Sequence, residues 1–311
     1  MPEVNILAKD GAETLLILSD GKPGHLNQSI AFARLLQRPY QVREVRFVSR
    51  LAKACSYPAD RLGLTLPGLF RVAEGLPACE AVVSAGSETY YANRVLSKRL
   101  QARSVAIMLP RGYRYAFDLI VAQQHDRPSQ RDNILVLPVN LSCPEPQGLV
   151  APRDDRPCVS LIIGGTSRHF RIDVAQLTRQ MEQIFRLFPG ADFFVTTSRR
   201  TPAAVEALVE RGPFRYKVIA SRDAVNPIAD FLAISDYVFV TEDSTSMISE
   251  AVSFGLANVE VLPLVRQGRP NKIQRMTKTL SEQGYLHLFD GFYGDCHRKL
   301  DLRARLREVW S

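Results

Sequence analysis

The sequence predicts an α/β protein of two doubly wound domains that face each other across a cleft. Apolar strand patterns alternate with helical patterns along the chain, which is typical of parallel sheets. A proline-rich segment at 144–157 interrupts this alternation, and the pattern restarts after it. A chain of 311 residues is also long for one core. We therefore expect an N-terminal domain at 1–150, a C-terminal domain at 151–290 and a helix at 291–311 that packs back on the N-terminal domain.

The first predicted strand leads into a glycine-containing loop. Residues 14–19 form an apolar strand pattern, residues 20–25 read Asp-Gly-Lys-Pro-Gly-His, and residues 26–37 have helical spacing. In an open α/β sheet such a loop lies at the carboxyl ends of the strands, where ligands bind. The glycine spacing is neither that of a dinucleotide fingerprint nor that of a P-loop. The loop therefore predicts a binding site of another kind.

Two side chains of this loop are candidates for a catalytic base, namely His25 and Asp20. His25 could instead do no more than cap the helix that follows. Ser87 and Arg111 follow two later strand patterns, at 81–86 and 104–109, and belong to the same predicted edge of the sheet. The residues expected on the acceptor side of the site are Gly21, Lys22, Pro23, Gly24, Gln28, Ser87 and Arg111.

Three strand-end loops in the second half predict a site for a nucleotide-type ligand. They lie at 164–167, 197–200 and 242–246, and the last one opens a helix whose free N–H groups and dipole favour a phosphate. Glu250 lies one helical turn after Ser246 and could accept hydrogen bonds from sugar hydroxyls. The alternative is an ordinary strand-to-helix connection with a good cap. The predicted donor-binding residues are Gly164, Gly165, Thr166, Ser198, Arg199, Glu242, Asp243, Ser244, Ser246, Met247 and Glu250.

The net charge of +8 is concentrated in the N-terminal half. Between residues 34 and 114 there are fourteen arginines or lysines against five acids, a surplus of nine. This surplus favours an anionic lipid or acceptor as partner, and we expect no nucleic acid. Alternatively, the 32 arginines reflect genome composition. The leucine-rich, arginine-flanked segment at 61–72 suits either an interfacial membrane contact or a buried loop.

Composition excludes several other classes. A hydrophobic content of 46% and no apolar run near the roughly 20 residues of a membrane span indicate a soluble protein. The five scattered cysteines are typical of reduced cytosolic thiols, and no secretory signal pattern opens the sequence. Metal-ligand spacing is absent, so we expect no metal and no cofactor, with a nucleotide-sugar as co-substrate. The expected location is the cytoplasm, with peripheral contact at the inner face of the cytoplasmic membrane.

These features resemble known proteins at two levels. The Gly-Gly-Thr of 164–166 and the serine-rich turn ending in Glu250 resemble the donor contacts of GT-B glycosyltransferases, which have two Rossmann-like domains. The usual double glycine before the key helix is replaced here by Glu-Asp-Ser-Thr-Ser at 242–246. Over nearly the whole chain, the motifs at 20–28, 164–166, 196–200, 226–227 and 241–251 resemble the mitochondrial fission ELM1-like family.

The resemblance implies a fold more directly than a reaction. Plant members of that family are implicated in recruiting the fission machinery, and bacterial members are suspected to be GT-B-like enzymes of the cell envelope. We expect an inverting-type, metal-independent glycosyltransferase that moves a sugar from a nucleotide-sugar to an anionic envelope acceptor, such as a lipopolysaccharide core. The alternatives are a non-catalytic adaptor that binds a partner protein and a sugar-nucleotide epimerase or hydrolase.

Overall fold

The computed structural model describes residues 13–153, 155–269 and 271–310, and the chain divides into two compact units. Unit 1 comprises Met1–Cys143 and Leu302–Ser311, and unit 2 comprises Pro144–Asp301. The border thus precedes the expected one at 150. The reason is the buried carboxylate of Asp230, which accepts hydrogen bonds from the backbone N–H groups of Gln147 and Leu149 at 2.9–3.1 Å. These bonds fix the proline-rich segment to unit 2.

Unit 1 is a seven-stranded sheet in the order β3-β2-β1-β4-β5-β6-β7, parallel except for the edge strand β3. Its core strands are apolar on both faces, as expected where helices cover both sides. Its elements are β1 Leu15–Ser19, α1 Pro23–Leu35, β2 Tyr40–Phe47, α2 Arg50–Arg61, β3 Phe70–Val72, β4 Ala81–Ala85, α3 Tyr90–Leu100, β5 Arg103–Ile107, β6 Leu119–Gln123, β7 Ile134–Leu137 and the late helix α9 Leu302–Arg307.

Unit 2 has a six-stranded parallel sheet in the order β11-β10-β8-β12-β13-β15, and a small antiparallel pair of β9 and β14. Its elements are β8 Cys158–Ile163, β9 Phe170–Arg171, α4 Val174–Leu187, β10 Asp192–Thr197, α5 Ala203–Arg211, β11 Tyr216–Val218, α6 Ile228–Ile234, β12 Tyr237–Thr241, α7 Thr245–Ser253, β13 Asn258–Leu262, β14 Val265–Arg266, α8 Lys272–Glu282 and β15 His287–Leu288. The predicted α/β class with parallel sheets is confirmed.

Each sheet has a point where the order of its strands reverses. In unit 1 this switch point lies between β1 and β4, and in unit 2 it lies between β8 and β12. Ligands of open α/β sheets bind outside the carboxyl ends of the strands at such a point. The loops that follow these four strands are therefore the candidate positions for a ligand in each unit.

The C-terminal helix α9 belongs to unit 1 and is shorter than the helix predicted at 291–311. Trp310 packs edge-on against Phe32 of α1, with ring centroids 5.3 Å apart. The Arg103 guanidinium lies over the same indole ring at 3.9 Å. Residues 291–301 lie in unit 2, because the Lys299 ammonium donates to the carbonyl oxygens of Ala251 and Ala257, beyond the predicted border at 290.

Candidate functional site

The loop after β1 and the first turn of α1 bring a carboxylate and an imidazole together, because α1 begins at Pro23, three residues before the predicted start at 26. The carboxylate of Asp20 lies 2.9 Å from Nδ1 of His25, and its side chain is only 2% exposed. It also accepts a hydrogen bond from the Lys22 backbone and lies 3.3 Å from the Lys22 ammonium. Burial raises the pKa of Asp20, but the hydrogen bonds from His25 and Lys22 outweigh burial and hold that pKa below its usual value.

The state of Asp20 decides the role of each nitrogen of His25. An ionised carboxylate can only accept hydrogen bonds, so Nδ1 of His25 carries the proton that it shares with Asp20. The other ring nitrogen, Nε2, is then left to accept a proton, and the imidazole side chain is 24% exposed. Such a pair orients the imidazole, as a general base requires.

Gly86, at the end of β4, lets the imidazole approach the sheet closely. A Cβ atom at Gly86 would lie 2.4 Å from the ring of His25, and the φ of +89° also disfavours any side chain. The pair thus lies at the switch point between β1 and β4. Pro23 stands at the first position of α1, where its missing N–H costs nothing, and Gly21 has a φ of +79°.

Three other residues predicted on the acceptor side lie in different parts of unit 1. Gln28 lies on α1, donates to the carbonyl of Gly24 and accepts from the buried Gln123 at 3.4 Å. Ser87 follows β4, where its carbonyl accepts from Tyr113. Arg111 is directed to Asp126 at 3.1 Å and is 69% exposed. Within the described residues, Arg111 has no hydrogen bond or ion pair with Asp20 or His25.

In unit 2, the buried carboxylate of Asp243 joins the loops that follow three strands. It accepts from the Gly165 backbone at 2.9 Å, from the Thr241 hydroxyl at 2.8 Å and from Arg200 at 2.9 Å. The Thr241 hydroxyl in turn accepts from the Gly164 backbone at 2.7 Å. Asp243 therefore fixes the ends of β8, β10 and β12 relative to one another.

At two positions of this network only glycine fits, because neighbouring atoms lie where a Cβ atom would be. A Cβ atom at Gly164 would lie 2.0 Å from an oxygen of Asp243, and one at Gly165 would lie 2.2 Å from the carbonyl of Arg200. Thr201 completes the network, because its hydroxyl bonds the Gly164 carbonyl at 2.5 Å and accepts from the Ser198 backbone at 2.9 Å. The Gly-Gly pair is thus explained by close packing of polar loops.

The helix α7 starts at the same place. Ser244 is its N-cap and accepts from the Met247 backbone at 3.4 Å, as predicted for the turn. Glu242 is buried, and its carboxylate accepts a hydrogen bond from the Leu264 backbone N–H at 3.5 Å. Burial raises the pKa of Glu242. Ser246 is exposed in the first turn. Thr166 and Arg199 are exposed in the loops after β8 and β10.

Glu250 differs from every other acid of this region. It lies on α7 one turn after Ser246, and burial alone raises its pKa to about 7. In the described chain its carboxyl group has no hydrogen bond or ion pair that would offset this desolvation. A desolvated carboxyl group without a partner is a typical feature of functional sites.

Sequence inspection missed the residues that hold the site together. Thr241, Arg200 and Thr201 lie within or beside the predicted motifs, but their roles depend on partners 37 to 77 residues away. The only local signal was their position at the carboxyl end of a strand, where side chains of neighbouring strands meet.

Two parallel α/β units, each with a polar loop network at its switch point, define a protein of the GT-B fold class. The structure is similar to the glycosyltransferase SnogD from Streptomyces nogalater, with a TM-score of 0.50 and 13% identity over 95% of this chain and 93% of that chain. It is also similar to MnaA from S. aureus, whose structure contains UDP, with a TM-score of 0.50 and 11% identity over 96% of this chain and 88% of that chain.

The chain belongs to the family described as Mitochondrial fission ELM1, whose profile matches residues 23–308. It is also 33% identical over 102 residues to the uncharacterized protein RP120 of Rickettsia prowazekii (strain Madrid E). That match spans 31% of this chain and 29% of the length of the relative. The predicted family and fold are thereby confirmed.

Proposed function

We propose that the protein transfers a sugar from a nucleotide-sugar donor to an anionic acceptor of the cell envelope, such as a lipopolysaccharide core or a similar glycolipid. The observation that carries the proposal is the Asp20–His25 pair at the switch point of unit 1. It supplies a partly exposed nitrogen that can take the proton of an acceptor hydroxyl. The fold class, shared with a glycosyltransferase, supports the same reaction.

In this proposal the acceptor hydroxyl attacks the anomeric carbon of the donor sugar. The bond between that carbon and the phosphate oxygen breaks, the nucleoside diphosphate leaves, and the hydroxyl proton goes to Nε2 of His25. Asp20 acts as a positioning residue, because it holds Nδ1 at 2.9 Å and stabilises the imidazolium that forms. The two candidates for the base thus receive different roles.

Unit 2 is proposed to bind the donor. The N-terminal end of α7 offers a favourable site for the diphosphate, since a helix dipole and backbone N–H groups attract anions. Arg200 and Arg199 lie on the loop after β10 and add positive charge, although Arg200 is already bound to Asp243. Glu250 has no hydrogen-bond partner in the described chain, and sugar hydroxyls would supply the donors that it needs. Neutralisation of the leaving diphosphate is the largest contribution that such a site can make.

The test is incubation of the protein with a panel of radiolabelled nucleotide-sugars, with and without envelope glycolipid. Label transferred to the glycolipid, in a reaction that releases nucleoside diphosphate, supports the proposal. Turnover without glycolipid would replace it by an epimerase or hydrolase function. Absence of both binding and turnover for every nucleotide-sugar would overturn it in favour of an adaptor.

A further inference from the structure

The helix α2 of unit 1 carries an apolar stripe on its exposed side. Its inward positions are Ala52, Ser56, Ala59 and Asp60, which are buried. Its outward positions at helical spacing are occupied by apolar or weakly polar side chains, and all of them are exposed: Leu51, Ala54, Cys55, Pro58 and Leu62. Leu51 is 77% exposed and Leu62 is 75% exposed, three turns apart on one face. The solvent-exposed face of a surface helix normally carries charged or polar side chains.

The chain after α2 extends this face. Leu64 and Leu66 are 49% and 44% exposed, and Val48, just before α2, is 46% exposed. Every residue from 61 to 68 is exposed, so the buried-loop alternative is wrong for this part of the segment 61–72, although Phe70 is buried. The buried Tyr91 fixes the backbone here, because its hydroxyl donates to the Leu64 carbonyl at 3.1 Å and accepts from the Leu66 N–H at 2.9 Å. These leucines are thus exposed on an anchored backbone.

The exposed charged residues between residues 46 and 72 are all basic. Arg50 and Arg61, at the first and last positions of α2, are exposed and have no ion pair with any described residue. Arg50 even stands at the helix N-terminus, where the dipole disfavours a cation. Between residues 46 and 72 the sequence has a single acid, Asp60, which is buried 3.6 Å from Arg94 and 3.8 Å from Arg114.

We propose that Val48, Leu51, Leu62, Leu64 and Leu66, with Arg50 and Arg61, form a docking surface for a membrane leaflet rich in anionic lipid, here called the Leu51 face. The leucines would enter the boundary between headgroups and acyl chains, and the guanidinium groups would bind lipid phosphates. The absence of exposed acid between residues 46 and 72 favours an anionic leaflet over a protein partner of mixed charge. This inference does not depend on the proposed reaction.

The experiment is co-sedimentation of the full chain with vesicles of phosphatidylcholine alone and of phosphatidylcholine mixed equally with phosphatidylglycerol. The vesicles contain no glycolipid, so the result is independent of sugar transfer. We expect binding to the anionic vesicles at low salt and release at about 1 M salt, where the Debye length falls to about 3 Å. Binding that ignores lipid charge and salt, or no binding to anionic vesicles at low salt, would overturn the proposal.

Paired variants separate the two components of the surface. Leu51→Ser with Leu62→Ser should lower the partition coefficient about a hundredfold or more, since each buried leucine contributes roughly tenfold. Arg50→Gln with Arg61→Gln should lower it about twentyfold, at roughly fivefold per arginine. The matched controls are Leu256→Ser, at an 86% exposed leucine of unit 2, and Lys98→Gln with Arg99→Gln, which remove the same charge from α3. If the control variants bound the vesicles as weakly as the variants of the Leu51 face, this would contradict the proposal of a defined surface.

Cys55 provides a reporter within the stripe. It is exposed, whereas Cys79, Cys143, Cys158 and Cys296 are half-buried or buried. An environment-sensitive fluorophore on Cys55 should shift to shorter wavelength with anionic vesicles and not with phosphatidylcholine. Circular dichroism of each variant checks that it folds. A concentration-dependent increase in mass that the double leucine variant abolishes, together with no fluorophore shift, would assign the face to a second copy of the chain and reject the lipid.

Discussion

Asp20 in unit 1 and Asp243 in unit 2 are both buried carboxylates. Each follows a strand at the switch point of its sheet, and each is bound to a cationic or titratable side chain within 2.9 Å. They differ in how far away in the sequence their partners lie. The partners of Asp20 lie within five residues of it, whereas Asp243 holds groups 43 and 78 residues away.

This difference shows that a buried carboxylate has one role in unit 1 and another in unit 2. A carboxylate with local partners can be removed without separating strands, and its effect falls on the His25 ring that it orients. A carboxylate that joins three strand ends is part of the frame of its unit. Glu250, in contrast to Asp243, has no hydrogen bond or ion pair with any described residue, so in unit 2 the frame and the proposed ligand site use different residues.

The largest expected effect is on turnover at His25. His25→Ala should lower the rate of sugar transfer by about two to four orders of magnitude and leave donor affinity nearly unchanged. The measurement is steady-state kinetics together with calorimetric titration of the nucleotide. The matched control is His297→Ala, which breaks a similar pair with Asp295 at 2.8 Å on the surface. Full activity in His25→Ala would end its assignment as the base.

The comparison is tested most directly by stability. Asp243→Ala should lower the free energy of unfolding by about 2–4 kcal/mol, because it leaves the Gly165 N–H and Arg200 without their buried acceptor. Asp20→Ala should cost about 1 kcal/mol, since its partners are close to water. Urea unfolding of both variants gives the two values. Equal losses would break the distinction between a frame carboxylate and a positioning carboxylate.

A smaller effect is expected on nucleotide affinity at Glu250. Glu250→Gln should weaken donor binding by about 1.5–3 kcal/mol if the ionised carboxylate accepts from sugar hydroxyls. The wild-type affinity should also decline as the pH falls below about 7, where Glu250 becomes protonated, and this decline should be absent in the variant. Titration calorimetry at several pH values measures both. Identical dissociation constants for every nucleotide would remove Glu250 from the site.

The smallest effect is on the pH dependence of folding. The pKa of Glu250 is raised to about 7 in the folded state from 4.5, so the folded state binds more protons between these values. Stability should therefore fall as the pH rises through this window, by at most about 1.4 kcal/mol per pH unit, and level off above it. Glu250→Gln should lose this slope in thermal unfolding. Glu282→Gln, at an exposed acid, is the control and should keep it.

The sequence allowed the parallel α/β class and most element positions to be predicted, because strand and helix periodicities are local. The strand at β1, the helix after it and the cap at Ser244 all follow from neighbouring residues. The helix α2 was not predicted, since its apolar residues lie on the exposed side and its inward positions include Ser56 and Asp60. A pattern that assumes apolar residues inside fails where a surface is apolar for another reason.

In the site, only contacts between residues close together in the sequence could be predicted. Asp20 and His25 lie five positions apart in the sequence, so both residues could be selected together. The link from Asp243 to Gly165 needs the order of the strands, which places β8 beside β12, and no local pattern contains that order. The unpartnered state of Glu250 likewise depends on the burial of its surroundings.

Unit 1 is built from two separate pieces of the sequence, and this has a consequence for synthesis. On the ribosome, residues up to 143 emerge long before Trp310, with the whole of unit 2 between them. Until Trp310 leaves the exit tunnel, Phe32 lacks the indole ring that packs against it. The N-terminal unit therefore completes its core only after the C-terminal unit has been made, so a chain that stops short of residue 302 loses a part of the first unit and none of the second.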